Sequence, residues 1–252
     1  SVGIEDLDIV AFKGPDHSKE HYYAKIEDDG IAWTDAYDIA AGLKFNGLQG
    51  YLLTITSEEE HNFIYNSLGS IEGWMGAAGI GTPGSIKFNT KGINWNYSAY
   101  TSIGKGSYSP TGTSSYDKQV RDGWYWVAGP EAGTKVFDGF TKFNSQEPNN
   151  SGNNEWCAEY GFGTDGNWND YPDDTDRING YYVEFGGFPD DEEVAKPVSL
   201  VNTYPWKDYD FRNIESEIYE KIEVLTDEEK KALTQEEFET MVEEAITEAG
   251  VE

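Results

Sequence analysis

Five side chains in one polar stretch have the chemistry to hold a metal ion: Glu147, Asn149, Glu155, Asn169 and Asp170. They sit in three short motifs, Glu147-Pro148-Asn149, Glu155-Trp156-Cys157 and Trp168-Asn169-Asp170. Three carboxylates and two amides present oxygen, and calcium takes about six to eight oxygen ligands. Zinc, which prefers nitrogen and sulfur, is served badly by that set. If the shell leaves positions open, two vicinal hydroxyls of a pyranose can replace the waters. Each hydroxyl then gives one lone pair to the ion, accepts from an amide NH2, and donates its proton to a carboxylate. That geometry needs acids and amides in pairs, and Glu147 with Asn149, and Glu155 with Asn169, provide them. Pro148 between two ligands sharpens the loop, and a cis bond there turns both side chains to one side. Trp156 and Tyr171, close by in sequence, are candidates to stack on a sugar face. Glu-Pro-Asn alone is ordinary turn composition; the informative feature is its order with a following glutamate and Trp-Asn-Asp.

The elements that must position these residues are legible from period and punctuation. Tyr22-Tyr23-Ala24-Lys25-Ile26 and Gly50-Tyr51-Leu52-Leu53-Thr54-Ile55 read as strands, and Trp74-Met75-Gly76 as the start of a third. Trp124 to Val127 and Gly180 to Phe185 continue the β pattern. A helix is predicted from Thr34, with Trp33, Ala36, Tyr37 and Ala40 inward and Gly42 at its end. Ser57-Glu58-Glu59-Glu60 reads as a capping box opening a second helix whose face carries His61, Ile64, Tyr65 and Leu68. His61 is a packing or surface residue in this reading, since no second His lies at metal spacing. Residues 79–122 are Gly-, Ser-, Thr-, Tyr- and Asn-rich, an elaborated loop or added hairpin.

From Pro189 the texture changes to Glu, Ile, Leu and Lys, dividing the chain into 1–188 and an acidic helical extension, 189–252. There Ile214, Ile218, Ile222 and Leu225 recur at helical spacing, and Thr226-Asp227-Glu228-Glu229 and Thr234-Gln235-Glu236-Glu237 are two more capping boxes. Phe238, Met241, Val242, Ala245 and Ile246 form one apolar face, which must be buried against something.

Among the 252 residues 47 are acidic and 18 basic, a net charge of −29, which repels phosphate backbones and argues against nucleic acid. No apolar run is long enough to span a bilayer. Such an excess of carboxylate fits a cation binder, an extracellular protein or one from salty surroundings. Aromatics at 15% together with 28 Gly argue for a loop-rich packed domain and against disorder. A single cysteine, Cys157, permits no intrachain disulfide. Ser1 to Val10 lack a basic segment and an apolar core, so no signal peptide is expected in them. A chain that starts without methionine points to a processed form or a fragment of something longer.

Residues from about 20 to 186 resemble a C-type lectin domain. The Tyr22-Tyr23 strand, Trp33 with Ala36 and Ala40, and Leu52 to Ser57 followed by Glu60 and Phe63 resemble that family's first half. Trp74-Met75-Gly76 is similar to its Trp-Ile-Gly core motif, and Tyr182-Val183-Glu184 to its closing strand. Glu147-Pro148-Asn149 matches its sugar-specificity tripeptide, with Glu155 at the family's spacing, and Trp168-Asn169-Asp170 matches its second calcium motif. The resemblance implies an α+β, C-type lectin-like fold of short antiparallel sheets, two helices and a long calcium-binding loop. It implies calcium and sugar binding by Glu147, Asn149, Glu155, Asn169 and Asp170, with mannose-type ligands (mannose, fucose, glucose, N-acetylglucosamine) preferred over galactose.

Three departures stand out. The family's long disulfide falls on Ala40 and Val183, where an apolar contact is expected, and its second pairs Cys157 with the position of Asp173. Trp156 stands where many members have an acid serving an auxiliary calcium site, so that extra site is expected to be weak or absent. A disulfide-free acidic version looks more like a bacterial surface adhesin module, outside the cell and bound to cell-surface glycans or free sugars. Two other classes compete. A lectin-like domain can bind protein or ice, since fold does not dictate function. Paired carboxylates can serve a glycosidase, but calcium ligation needs both ionised, and no Ser-His-Asp set, phosphate loop or cysteine-nucleophile motif is present, so no enzyme is expected.

Overall fold

Strand β9 (Gly180–Phe185) collects the structure around itself. In the computed structural model, whose described residues are 3–80, 121–192 and, in the tail, 225–226, 229, 232–234, 236–238, 240–241 and 244, β9 pairs with three other strands. On one side lies β2 (His21–Glu27), antiparallel from Tyr22↔Phe185 to Glu27↔Gly180, with β1 (Val10–Phe12) outside it. On the other side β4 (Leu48–Leu52) covers the Phe185 end and β5 (Gly73–Gly79) the Gly180 end. The short β3 (Lys44–Phe45) pairs with β4. Beyond β5 come β7 (Cys157–Tyr160) and β8 (Trp168–Tyr171), and β6 (Trp124–Trp126) pairs with the Gly79 end of β5 off that path. The α+β class is as expected, with one correction: the β5–β9 pairing is parallel, over Gly73↔Gly180 and Trp74↔Tyr181. A parallel neighbour needs a long crossover, and here the intervening chain supplies β6 to β8.

Two α-helices pack on this sheet, α1 (Trp33–Gly42) and α2 (Glu58–Leu68). The buried residues of α1 are Trp33, Ala36, Tyr37 and Ala40, the face that the spacing predicts. Its first turn has no side-chain cap of its own; instead Asp173, from the loop after β8, accepts the Thr34 N–H at 3.0 Å. That contact satisfies a helix-end donor that would otherwise be left open. In α2, Ser57 Oγ accepts the Glu60 N–H, half of the capping box. The other half is redirected, because Glu60 accepts from Thr56 N at 2.7 Å and from the Tyr23 hydroxyl at 2.6 Å. Of the four residues placed on one face of α2, His61, Ile64 and Leu68 are buried and Tyr65 is exposed.

The core is aromatic, and several of its polar tips are paired, while Trp124 Nε1, Trp168 Nε1 and the Tyr160 hydroxyl are buried with no hydrogen-bond partner among the described residues. Trp33 donates to Met75 O, Trp74 to Ile31 O and Tyr37 to Val127 O, each within 2.9 Å. Such partners let large rings be buried without stranding a donor. Gly76 is required by close approach: a Cβ there would lie 2.5 Å from Leu52 O. Ala40 and Val183, at the positions of the lost long disulfide, are fully buried, and Cys157 is buried and forms no disulfide.

Contacts divide the chain into Ser1–Asp191 and Glu192–Glu252. In the second unit both capping boxes form, Thr226 with Glu229 and Thr234 with Glu237, each pair exchanging side-chain and backbone bonds of 2.8 to 3.2 Å. Phe238 is buried. The expectations for most of 79–122, for Ile214, Ile218 and Ile222, and for Val242, Ala245 and Ile246 fall outside the described residues. Among the described residues no helix is long and apolar enough to cross a membrane.

His61 is a buried packing residue, 5.4 Å from the Tyr160 ring, with Nε2 2.9 Å from Asp165 O. Nδ1 has no hydrogen-bond partner. Burial holds its pKa below the usual histidine value, against the pull of the Asp165 carbonyl. A depressed folded-state pKa means that the unfolded chain binds the proton first, so stability is lost as pH falls below about 6.5. His61→Gln keeps a donor for Asp165 and removes the titration. The gap between wild-type and variant melting temperatures should therefore narrow as pH is lowered from neutrality, measured by thermal unfolding across that range.

Candidate metal and ligand site

The long loop from β6 to β7 is tied down on β8 before it can present anything. Trp168 N donates to Lys142 O and Asn144 N donates to Trp168 O, so the loop runs beside the strand. Trp156 N then donates to Tyr171 O and returns the chain into the sheet. Trp168 is fully buried, with the rings of Trp126, Phe140 and Phe143 set edge-on against it at 5.5 to 5.9 Å. A single aromatic anchor thus carries both the strand and the loop.

Asp170, the next-but-one residue on β8, closes the loop from beneath. Its carboxylate accepts Asn149 N at 3.1 Å and Asn150 N at 2.7 Å. The Glu147–Pro148 bond is cis, and Asn149 Nδ2 donates to Glu147 Oε1 at 3.0 Å. Ser151 N lies 2.8 Å from both Asn149 Oδ1 and Glu155 Oε2, which places Glu155 beside Asn149. Asn150 Oδ1 takes the Glu155 N–H and braces the same turn. Four of the five predicted residues therefore meet: Glu147, Asn149, Glu155 and Asp170. Asn169 is buried and paired across the ladder with Glu159. Among the described residues no hydrogen bond links it to the other four.

The electrostatics of this cluster favour a cation. Burial raises the Asp170 carboxyl well above the carboxylate range, with the Glu155 and Glu147 charges adding to it against the two backbone N–H groups. Burial also pushes Glu155 up to about 7, against the Ser151 N–H and the distant Arg177 charge. Glu147 is raised for the same first reason, loss of water. Glu147 Oε2 is buried with no hydrogen-bond partner. An orphaned carboxylate oxygen beside two further acids and an amide oxygen is an all-oxygen donor set, and it fits calcium.

Some placements differ from expectation. Trp156 is buried, its ring 5.4 Å from Trp33, so it is a core residue and not a platform for sugar. Tyr171 is also largely buried, with the Arg177 guanidinium 5.8 Å from its ring centroid. Missed by the sequence reading was Asn150, whose left-handed conformation (φ 49°) and two bonds hold the turn. Its signal was available, since Asn tolerates that region better than most residues. Glu159 was missed too. Fully buried, it is pushed up to about 9 by burial and then by the Glu72 charge, against the pull of the Asn169 side chain, and is neutral at physiological pH.

No protein-family model matches the chain. It is 29% identical to Halomucin of Haloquadratum walsbyi over 182 residues, which cover 69% of this chain and 2% of the length of that protein. Among solved structures it is similar to the C-type lectin CEL-I from Cucumaria echinata, at 16% identity and a TM-score of 0.43, covering 69% of this chain and 98% of that one. A calcium-independent type II antifreeze protein is similar at 15% identity and a TM-score of 0.38, covering 70% and 94%. So is the cow C-type carbohydrate-recognition domain of CD23, at 17% and 0.37, covering 68% and 95%.

The Asp170 tie is open to a direct check. Asp170→Ala leaves two backbone donors without their acceptor, a cost of about 1–3 kcal/mol. Hydrogen exchange at the Asn149 and Asn150 amides should accelerate markedly in the variant while the β2–β9 amides keep their protection. Unchanged protection at Asn149 and Asn150 would show that the loop is held by other means.

Proposed function

We propose that residues 1–188 form a C-type lectin-like carbohydrate-binding domain. In this reading Glu147, Asn149, Glu155, Asn169 and Asp170 hold calcium, and a mannose-type sugar is bound there through vicinal hydroxyls. The observation that carries it is the meeting of Glu147, Asn149, Glu155 and Asp170 in one braced turn, with a buried Glu147 oxygen left without a partner. Calcium, when bound, supplies the positive charge that these acids lack and polarises the sugar hydroxyls it touches. The side chains do the selecting. Glu147 and Glu155 accept hydroxyl protons, while Asn149 and Asn169 donate through their NH2 groups. The acid-then-amide order at Glu147 and Asn149 suits the hydroxyl arrangement of mannose, fucose, glucose or N-acetylglucosamine. With Trp156 buried and Arg177 close to the Tyr171 ring, coordination and hydrogen bonds carry the recognition.

The wider role follows from the chemistry. A chain of net charge −29 repels anionic surfaces, and calcium-bridged hydroxyl recognition lets it engage neutral glycans in spite of that charge. We read the domain as extracellular or displayed at a cell surface, serving adhesion to glycans or capture of free sugars, with 189–252 as an acidic helical extension.

A glycan array probed with and without calcium tests this. Mannose- and fucose-type glycans should be retained with calcium and released by excess EDTA. Glu147→Gln combined with Asn149→Asp should shift the preference towards galactose-type glycans by about tenfold, equivalent to 1.4 kcal/mol. Asp170→Ala should lose binding. Retention of mannose in EDTA, or binding to protein or ice with no glycan bound, would replace this reading with that of a lectin-like scaffold for another ligand.

A further inference from the structure

A second polar cluster, built from none of the loop residues, lies inside the fold. His17 follows β1, His21 opens β2, Glu60 is in the first turn of α2 and Glu184 is on β9. The His17 and His21 side chains are 4% exposed, and those of Glu60 and Glu184 are 1% exposed. His17, His21 and Glu60 each offer a ligand atom, all within 4.8 Å of one another. Thr54 Oγ1 lies 3.1 Å from Glu184 Oε2 and 2.8 Å from Glu131 Oε2, which brings in a third carboxylate. Among the described residues no Lys or Arg forms an ion pair with Glu60, Glu131 or Glu184; the nitrogen partners are imidazoles, His17 at Glu60 and His21 at Glu184. Buried acids need a compensating positive charge.

We propose that His17, His21 and Glu60 form a binding site for a transition-metal ion of the zinc type, with Glu184 orienting His21. Two imidazoles and one carboxylate are the ligand types zinc favours, with a fourth position for water. His21 Nδ1 lies 2.5 Å from Glu184 Oε1, so the carboxylate holds that nitrogen and turns Nε2 to a ligand. This is the usual outer partner of a metal-bound histidine. Gly187 packs on the same ring so closely that a Cβ would come within 2.4 Å of it, which keeps His21 in place. Glu60 is equally fixed, by Tyr23 OH on Oε1 and Thr56 N on Oε2. His17 Nε2 already stands 3.3 Å from Glu60 Oε1, close to the roughly 3.4 Å between ligand atoms on a tetrahedral ion with bonds of about 2.0–2.1 Å.

His17 is the adjustable ligand. Its ring stacks on His21, with centroids 3.7 Å apart and 4° between the planes, and its Nδ1 accepts the Gly14 N–H at 3.0 Å. Imidazole lone pairs lie in the ring plane, so two parallel rings cannot converge on one ion. Loading opens the stack by turning His17, moves its proton from Nε2 to Nδ1, and gives up the Gly14 contact. The segment that bears His17 lies between β1 and β2 and belongs to no strand or helix, so it can make that turn. The ion then joins the β1–β2 segment to α2, and through Glu184 to β9. It would act as a staple in a chain whose single cysteine forms no disulfide.

The test uses the full chain stripped of metal with chelator and titrated with cobalt(II), then zinc. One equivalent of cobalt should give the intense visible band of a tetrahedral ion, zinc should displace it, and zinc should raise the melting temperature. Asp170→Ala should behave as wild type here. His17→Gln and Glu60→Gln should lose the band and the thermal shift, and Glu184→Gln should weaken binding by about ten- to a hundredfold. If His21→Gln does not fold, as judged by near-UV circular dichroism, His17→Gln decides, since it removes the ring stacked on His21 but keeps the bond of His21 to Glu184 and its contact with Gly187. No band and no zinc-dependent shift in wild type would overturn the site, leaving protons as the only compensating charge. A band unchanged in His17→Gln would overturn it equally.

Discussion

One carboxylate on a strand organises the loop on which the proposed activity depends. Asp170 receives the N–H groups of Asn149 and Asn150, so a turn with no regular secondary structure is held by the rigidity of β8. β8 is itself rigid because Trp168 is buried among the rings of Trp126, Phe140 and Phe143 and because the strand is laddered to β7 through four residue pairs. A ligand set held by loop backbone alone would sample many arrangements, and ordering it on binding would cost conformational entropy. Here much of that ordering is done by the fold before any ion arrives.

The same constraint explains why so many acids are buried in this chain. Glu147, Glu155 and Asp170 crowd together in the loop, and Glu60, Glu131 and Glu184 in the cluster beside β9; burial raises several of them, with Glu131 at about 7 and Glu184 at about 8. Removing water from a carboxylate is unfavourable unless something positive or hydrogen-bonding replaces it. In the loop, backbone N–H groups do part of that work and a calcium ion is suited to the rest. Beside β9, imidazoles stand against the acids as hydrogen-bonding partners, His17 at Glu60 and His21 at Glu184. Glu159 shows the third solution, which is to stay protonated.

Much of the architecture was legible in the chain because it follows from local periodicity. The inward face of α1, the Ser57 cap of α2 and the limits of β9 are where spacing and capping chemistry put them. What local pattern could not supply is which side of an element is covered by remote chain. Tyr65 has the spacing of a buried residue, yet the fold leaves it exposed. Trp156 sits beside predicted ligands in sequence and would suit a sugar platform, but the chain returns to the sheet there, Trp156 N bonding to Tyr171 O, and its ring goes into the core against Trp33. Asp173 enters the sequence comparison only as the position of a lost disulfide partner, and only the folded chain brings it to the first turn of α1.

By itself, then, the sequence determined the residue types available for oxygen coordination, their order along the chain, and the helices and strands between them, because these depend on side-chain chemistry and on repeats a few residues long. The tertiary structure alone decided that Glu147, Asn149, Glu155 and Asp170 are linked around one turn, and that His17, His21, Glu60 and Glu184 gather from four separate segments. Such gatherings depend on strand register and on chain crossings over long separations. Those are settled by burying the aromatic core as a whole, and no short window of sequence contains them.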